Sequence, residues 1–176
     1  MERKEEHILS NSQLPGVTIL IFSAGGVRRP QLPSILASSA FQRHFNLSTK
    51  QIYREENLCS SDVMSCDIVF LEFNPSLSWS FSLAQSFRDT VFNINEKIKI
   101  VFVCCQTPRT RLHDVVYWDI MCSEFLIELL IIFPNDPEEL IFSKVKAICP
   151  INQICVKRSQ RNSRRFFQTL RRLLSK

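Results

Sequence analysis

Two adjacent glycines, Gly25 and Gly26, follow a short apolar run over residues 17–22. In a nucleotide-binding α/β protein, such a turn holds phosphate. Its backbone N–H groups cradle the oxygens, a Lys balances their charge and a Ser or Thr hydroxyl binds Mg²⁺. Here no Lys-Ser/Thr pair follows the glycines, and Pro30 removes one backbone N–H from the turn. The stretch therefore predicts the frame of a nucleotide-binding domain without its phosphate-binding chemistry.

The ends of the later predicted strands also lack the motifs that a small GTPase carries there. The Asp-x-x-Gly that contacts Mg²⁺, the Asn-Lys-x-Asp that recognises guanine and the Ser-Ala-Lys are replaced by Glu72-Phe73-Asn74-Pro75, Gln106-Thr107-Pro108-Arg109 and Pro134-Asn135-Asp136-Pro137. Without ligands for Mg²⁺ and phosphate, phosphoryl transfer has no means of stabilising its charge. We therefore predict that the protein is not an enzyme, has no catalytic residue and takes no cofactor.

The cysteines and histidines form no recognisable metal or catalytic motif. The chain has seven cysteines but no C-x-x-C pair, and only three histidines, so zinc-ligand spacing is absent. His113-Asp114 with Cys104, Cys105 or Cys122 would be the candidate Cys–His pair, but cysteines scattered through apolar stretches are usually structural. We predict no metal site and buried free thiols in a reducing compartment.

Strand and helix patterns alternate along the chain. Buried strands are predicted over residues 17–22, 66–73, 97–105 and 129–133, a short edge strand over 51–53 and a last strand or extended segment over 151–156. Helices are predicted over residues 33–45, 78–92, 111–122 and from 137 to about 149, with a loop over 59–65. The predicted core stripes are Phe81, Ala84, Phe87 and Val91 in one helix, and Leu112, Val115, Val116 and Ile120 in another. This alternation predicts an α/β fold with a mostly parallel sheet flanked by helices. With the turn after the first strand and the missing motifs, the fold class we predict is small-GTPase-like (P-loop NTPase-like), without a functional nucleotide site.

Positive charge is concentrated in residues 157–176, which hold eight Lys and Arg and no Asp or Glu. The rest of the chain has 14 basic against 17 acidic side chains, a charge of −3. The segment also has an apolar stripe at helical spacing, so we predict a basic amphipathic helix over residues 157–176. The rest of the chain is predicted to be a flexible N-terminus over residues 1–13 and one domain over residues 14–156. The candidate partner-binding residues are Phe166, Phe167, Leu170, Arg171, Leu173 and Leu174.

This basic helix has several interpretations. It could dock on its own domain with its basic face in solvent, enter a partner's groove, or contact acidic protein or DNA. A membrane-surface helix is less favoured because the chain has no lipidation signal. The charged N-terminus lacks the apolar stretch of a signal peptide, and no apolar run approaches the roughly 20 residues of a membrane helix. We expect a soluble protein of the cytosol or nucleus.

Several stretches of the chain are similar to the centromere protein M family. They are Leu14-Pro15-Gly16 leading into Thr18-Ile19-Leu20-Ile21, then Asp67-Ile68-Val69-Phe70, Asn74, Ser80-Phe81, Gln85-Ser86-Phe87-Arg88 and Lys99-Ile100-Val101-Phe102-Val103. Members of this family are pseudo-GTPases, small-GTPase-like subunits of the inner kinetochore that lack nucleotide binding. The similarity covers most of the chain from Leu14, in element order and in length. The basic final helix is more pronounced than the family would lead one to expect.

This resemblance implies an architectural function in the nucleus, at the centromere. A family member is a non-catalytic scaffold subunit of the constitutive centromere-associated complex. It packs against centromere protein I with the H and K subunits alongside, stabilises a partner subunit, and supports kinetochore assembly and chromosome segregation. Two alternatives stay open from the residues themselves. One is a small-GTPase-like regulator with a divergent nucleotide loop over residues 25–29, and the other is a nucleic-acid-binding module acting through the basic helix.

Overall fold

The computed structural model describes residues 16–27, 32–107, 110–133 and 135–148. Strands and helices alternate along this part of the chain, as predicted. Its strands are β1 (Gly16–Ser23), β2 (Asn46–Ile52), β3 (Ile68–Phe73), β4 (Lys99–Cys105) and β5 (Leu129–Ile132). Its α-helices are α1 (Leu32–Leu36), α2 (Ser39–Gln42), α3 (Ser60–Ser65), α4 (Ser78–Ile94), α5 (Leu112–Glu124) and α6 (Glu138–Ile148), and a 3-10 turn spans Glu55–Asn57.

The five described strands form one sheet in the order β2-β1-β3-β4-β5, and every neighbouring pair is parallel. The chain moves from β1 to β2 in one direction and from β3 to β5 in the other, so the order reverses at β1. This is a doubly wound topology. It confirms the predicted α/β class and a parallel sheet with helices on both faces.

Both faces of the sheet are buried, which explains why its central strands are almost wholly apolar. Ile21 and Phe70, paired in register on β1 and β3, belong to the core on the face covered by α1, α2 and α6. Their neighbours Leu20 and Val69 point the other way, into the core formed with α3, α4 and α5. The alternation of side chains along each strand thus supplies two separate cores.

The longest described helix, α4, confirms its predicted apolar stripe. Phe81, Ala84, Phe87 and Val91 are all buried, together with Ser80. The ring of Phe87 stacks on that of Phe22 from β1, with the ring centroids 3.9 Å apart. This contact anchors α4 across the middle of the sheet.

The predicted core stripe of α5 is wrong at three of its four positions. Val115 is buried, as predicted, but the other buried residues are Trp118 and Cys122. Leu112, Val116 and Ile120 are exposed on the solvent side, with exposed fractions of 71%, 48% and 54%. The helix is apolar on two sides, and the side with the larger Trp118 packs on the sheet. Periodicity identified the helix but could not choose between its two apolar faces.

Other boundaries also differ from prediction. Residues 59–65 are mostly helix α3 rather than a loop, and the Asp62 carboxylate accepts the Cys59 N–H at 3.3 Å at its start. The helix predicted over 33–45 divides into α1 and α2 at Ala37-Ser38. The edge strand is longer than predicted and starts earlier, at Asn46, because a half-exposed edge tolerates its polar residues.

Some predictions fall outside the described residues. They are the flexible N-terminus over 1–13, the segment over 151–156 and the helix over 157–176. In the part of the chain that the structure describes, no helix has both the length and the apolar character needed to cross a bilayer.

Candidate functional site

The carboxyl ends of β1 and β3 meet where the strand order reverses. Ser23, the last residue of β1, is paired in register with Glu72 of β3. In doubly wound sheets, ligands bind in the crevice outside the carboxyl ends of the strands at such a reversal. The turn containing Gly25 and Gly26 begins there too. This edge of the sheet is therefore the place to look for a functional site.

Glu72 is a completely buried carboxylate at this edge. One carboxylate oxygen, Oε2, accepts the Ser23 hydroxyl at 2.5 Å, and the other, Oε1, accepts the backbone N–H of Leu32 at 3.0 Å. Leu32 is the first residue of α1, and the N–H groups of a first helical turn have no partner within the helix. The Glu72 side chain supplies a partner for one of these N–H groups.

Further hydrogen bonds connect Glu72 to the neighbouring strands. Gln51 of β2 donates from Nε2 to the Ser23 hydroxyl oxygen at 3.0 Å. The Cys105 thiol of β4 lies 3.6 Å from Glu72 Oε1 and donates to it, and the Ala24 N–H donates to the Glu72 carbonyl at 2.9 Å. A buried polar group destabilises a fold unless it is hydrogen-bonded. This network gives the Glu72 side chain such partners and links four strands at their carboxyl ends.

The glycine turn is covered by residues from the start of α4. A Cβ atom on Gly25 would lie 2.8 Å from Cζ3 of Trp79, and one on Gly26 would lie 2.7 Å from Cδ1 of Leu77. Gly26 also has a φ of 87°, which side chains rarely adopt. The two glycines are needed for close approach and for an unusual backbone angle. What approaches them is an indole ring and a leucine.

The loop that carries this cover is held on several sides. The Asn74 side chain donates from Nδ2 to the Gly26 carbonyl at 3.0 Å, while its own backbone N–H donates to the Ser80 hydroxyl oxygen at 3.0 Å. Trp118 of α5 donates from Nε1 to the Pro75 carbonyl at 2.7 Å. The glycine turn and the β3–α4 loop therefore form one hydrogen-bonded unit.

Two cavities lie elsewhere in the described part of the protein. One of about 290 Å³ is lined by Leu36, Phe45 and Leu47 at the amino end of β2. The other, of about 220 Å³, is lined by residues that include Ile98 and Glu128, which lie near the amino ends of β4 and β5. Both are at the edge of the sheet opposite the glycine turn.

Comparison with known proteins adds no relative to this geometry. No protein-family model matches the chain, and no curated protein matches it.

The other strand ends singled out in the sequence also form local structure. After β4, Gln106 is buried, and the Thr107 N–H donates to the Thr110 hydroxyl oxygen at 2.9 Å. After β5, Asp136 Oδ2 accepts the Phe133 N–H at 3.1 Å and the Lys144 ammonium at 2.6 Å. Residues 28–31, 108, 109 and 134 lie outside the described residues.

The candidate Cys–His pair is not assembled. His113 lies on the solvent side of α5, with its side chain 89% exposed and paired only weakly with Asp114 at 3.6 Å. Burial raises the pKa of Cys104 to about 12 and that of Cys122 to about 11. Both therefore remain thiols at neutral pH, whereas nucleophilic catalysis needs a thiolate. No cluster of three or more potential metal ligands occurs among the described residues.

The predicted partner-binding residues lie outside the described residues; they are Phe166, Phe167, Leu170, Arg171, Leu173 and Leu174. Sequence reasoning missed the contact of Glu72 with Leu32 and the cover over the glycines. One signal for the first was available, because Glu72 is the single acidic residue in the apolar strand β3. The positions of Leu77 and Trp79 depend on the direction in which α4 starts after the β3–α4 loop, and no local sequence pattern predicts that direction.

Proposed function

We propose that this protein is a non-catalytic, small-GTPase-like scaffold subunit of the inner kinetochore, as its resemblance to the centromere protein M family implies. In this proposal it acts in the nucleus at centromeres, where it stabilises a partner subunit and supports chromosome segregation. Its partners are subunits like centromere proteins I, H and K.

The observation that supports this proposal best is the hydrogen bond from the Leu32 N–H to Glu72. A phosphate group held at the start of α1 would have to displace the buried Glu72 side chain from the Leu32 N–H. Leu77 and Trp79 add a steric cover over the adjoining turn. A sheet edge filled in this way favours a function carried by the outer surface of the domain.

The outer surface offers apolar side chains for such a function. Leu112, Val116 and Ile120 are exposed along α5, and Phe125 and Leu126 follow them with exposed fractions of 64% and 93%. Exposed large apolar side chains that lie together are typical of protein–protein contacts, and Leu112, Val116 and Ile120 share one side of α5. In the proposal, this surface and the apolar stripe of the C-terminal segment are available to partner subunits.

Affinity purification from dividing cells of the source organism tests the proposal. We expect the tagged full-length protein to enrich subunits of the centromere protein I, H and K type. A fluorescent fusion should concentrate at centromeres. Enrichment of none of these subunits, with no centromeric signal, would exclude the scaffold function.

A matched pair of variants tests the part played by the C-terminal segment. Leu170→Glu with Leu174→Glu places charges in its apolar stripe and should reduce recovery of the partners. Gln168→Glu with Ser175→Glu adds the same charges on the opposite side of the predicted helix and should leave recovery unchanged. Equal recovery with both pairs would remove these residues from the partner contact.

A DNA contact is a second proposal, supported by the eight basic residues within 157–176. Phosphate contacts release counterions, so binding to DNA should weaken steeply as salt is raised. Replacing Arg164 and Arg165 with Ala should flatten that salt dependence. A fluorescence anisotropy titration with duplex DNA measures it, and no binding at low salt would exclude the contact.

A further inference from the structure

The solvent side of α5 bears an apolar stripe that no described residue covers. Leu112, Val116 and Ile120 are spaced four residues apart, so they form one line along the helix. They are exposed by 71%, 48% and 54%. We name these three residues the α5 stripe.

Acidic residues flank the α5 stripe. The helix contains Asp114, Asp119 and Glu124 but no Lys or Arg. At 100° per residue, Asp119 lies on one side of the α5 stripe and Glu124 on the other, and both are exposed. A segment that covers the α5 stripe should therefore combine apolar side chains with positive charge.

We propose that residues 159–176 of this same chain cover the α5 stripe when the protein is free in solution. At helical spacing, Phe166, Leu170 and Leu174 form a single apolar line. On the same projection, Arg171 and Lys176 flank this apolar side and can meet Asp119 and Glu124. The remaining arginines then face solvent.

The connection between the two surfaces is long enough. The described chain ends with α6, which covers one face of the sheet at its β5 side, while α5 covers the other face. Residues 149–158 can span about 33–36 Å when extended, which exceeds the roughly 30 Å diameter of a small domain. A helix of residues 159–176 would be about 27 Å long, against about 20 Å for α5.

The topology of the sheet disfavours the main competing path for this connection. The described connections that move toward β5 carry their helices, α3, α4 and α5, on one face of the sheet. The connection from β1 to β2 moves the opposite way and carries α1 and α2 on the other face, so all the described crossovers have the same hand. A sixth parallel strand beside β5, reached through α6 on that other face, would be a crossover of the opposite hand. Such crossovers are rare. The connection is better placed around the β5 edge toward α5.

Docking in the free protein does not rest on the proposed function, since it concerns two surfaces of one chain. The docking has one consequence for the proposed function: a partner that binds the apolar side of the C-terminal segment must first separate that segment from α5.

Limited proteolysis of the full-length protein with chymotrypsin tests the docking. Chymotrypsin cuts after Phe166 and Phe167, and cleavage of an exchanging segment follows the fraction of time it is undocked. Val116→Lys with Ile120→Lys removes apolar contact and repels the basic segment. We expect cleavage at these two phenylalanines to be about tenfold faster in this variant than in the wild type.

The matched control is Met64→Lys with Phe92→Lys, which adds the same charge at exposed apolar positions outside α5. It should leave the cleavage rate at the wild-type value. Equal cleavage in the wild type and the α5 variant would overturn the proposal. Protection that disappears on about hundredfold dilution would also overturn it, because the α5 stripe would then be covered by a second copy.

Discussion

The Glu72 carboxylate and the Leu32 backbone N–H lie 3.0 Å apart, which joins the end of β3 to the start of α1. The first N–H of this helix finds its acceptor within the fold, near the reversal of strand order where doubly wound proteins bind their ligands. The same carboxylate accepts the Ser23 hydroxyl, so β1 and β3 are tied together at this point as well. One side chain thus contributes to stability at the position where related topologies place function.

Replacing Glu72 should destabilise the protein strongly. Glu72→Ala leaves the Ser23 hydroxyl and the Leu32 N–H without this acceptor in a buried site, and we expect the free energy of unfolding to fall by about 3 kcal/mol or more. Glu72→Gln retains an acceptor oxygen and should lose less. Urea denaturation measures both, with the exposed Glu96→Ala as the control. A loss from Glu72→Ala no larger than that control would contradict a structural role for the carboxylate.

The glycine turn should tolerate no side chain while its cover is in place. Gly26→Ala combines a positive φ with a contact to Leu77, so we expect it to lower the free energy of unfolding by about 1–3 kcal/mol. Gly16→Ala, where the nearest described atom to the added Cβ is Asn46 O at 4.0 Å, should change it by less than about 0.5 kcal/mol.

A double-mutant cycle separates the cover from the backbone angle. Gly25→Ala brings its Cβ against Trp79, so most of its destabilisation should disappear when Trp79→Ala is already present. Thermal or urea unfolding of the two single variants and the double variant gives the coupling. Simple additivity of the two substitutions would show that the indole does not pack on the turn.

The thiols should differ widely in reactivity. Burial raises the pKa of Cys104 and of Cys66 to about 12, whereas Cys59 is exposed. Because the thiolate is the reacting form, iodoacetamide at neutral pH should alkylate Cys59 well before Cys104 in the native protein. Peptide mass spectrometry follows each site, and urea should abolish the difference. Rapid alkylation of Cys104 without denaturant would mean that this core opens readily.

The Asp136–Lys144 pair should contribute to stability in a pH-dependent way. Burial alone would raise the pKa of Asp136, but hydrogen bonds from Lys144 and the Phe133 N–H hold it below its usual value. Its contribution is therefore complete above the unfolded pKa of about 3.9 and disappears as pH falls through the lowered native pKa.

Replacing the carboxylate should remove this pH dependence. Asp136→Asn should destabilise the protein near pH 7, and the difference from wild type should shrink as pH falls below about 4. Urea unfolding across this range measures it, with the exposed Asp89→Asn as control. A difference that stays constant down to about pH 2 would mean that the Asp136 pKa is not lowered in the native state.

Strong periodicity made part of the fold predictable from the sequence. The buried residues of α4 were correct at every predicted position because that helix has one apolar side and crosses the middle of the sheet. In α5 the same reasoning failed, since Leu112, Val116 and Ile120 form a second apolar side that solvent faces in the described structure. Burial depends on which side the sheet meets, and that is a property of the tertiary packing.

The candidate site was predictable in its location but not in its contents. The run over residues 17–22 and the two glycines correctly indicated the turn at the end of β1. The carboxylate that binds the Leu32 N–H comes from Glu72, 40 residues away, and the ring at Gly25 comes from Trp79, 54 residues away. Contacts over such separations leave no periodic signal in the chain.

Isothermal titration of the purified full-length protein with GTP, and separately with ATP, in the presence of Mg²⁺ tests the central claim, a scaffold without nucleotide binding, most directly. We predict no binding heat with either nucleotide, and no guanine nucleotide released from the purified protein on denaturation, because Glu72 already binds the Leu32 N–H and Leu77 and Trp79 cover the glycine turn. Binding of either nucleotide with a micromolar dissociation constant would contradict this claim.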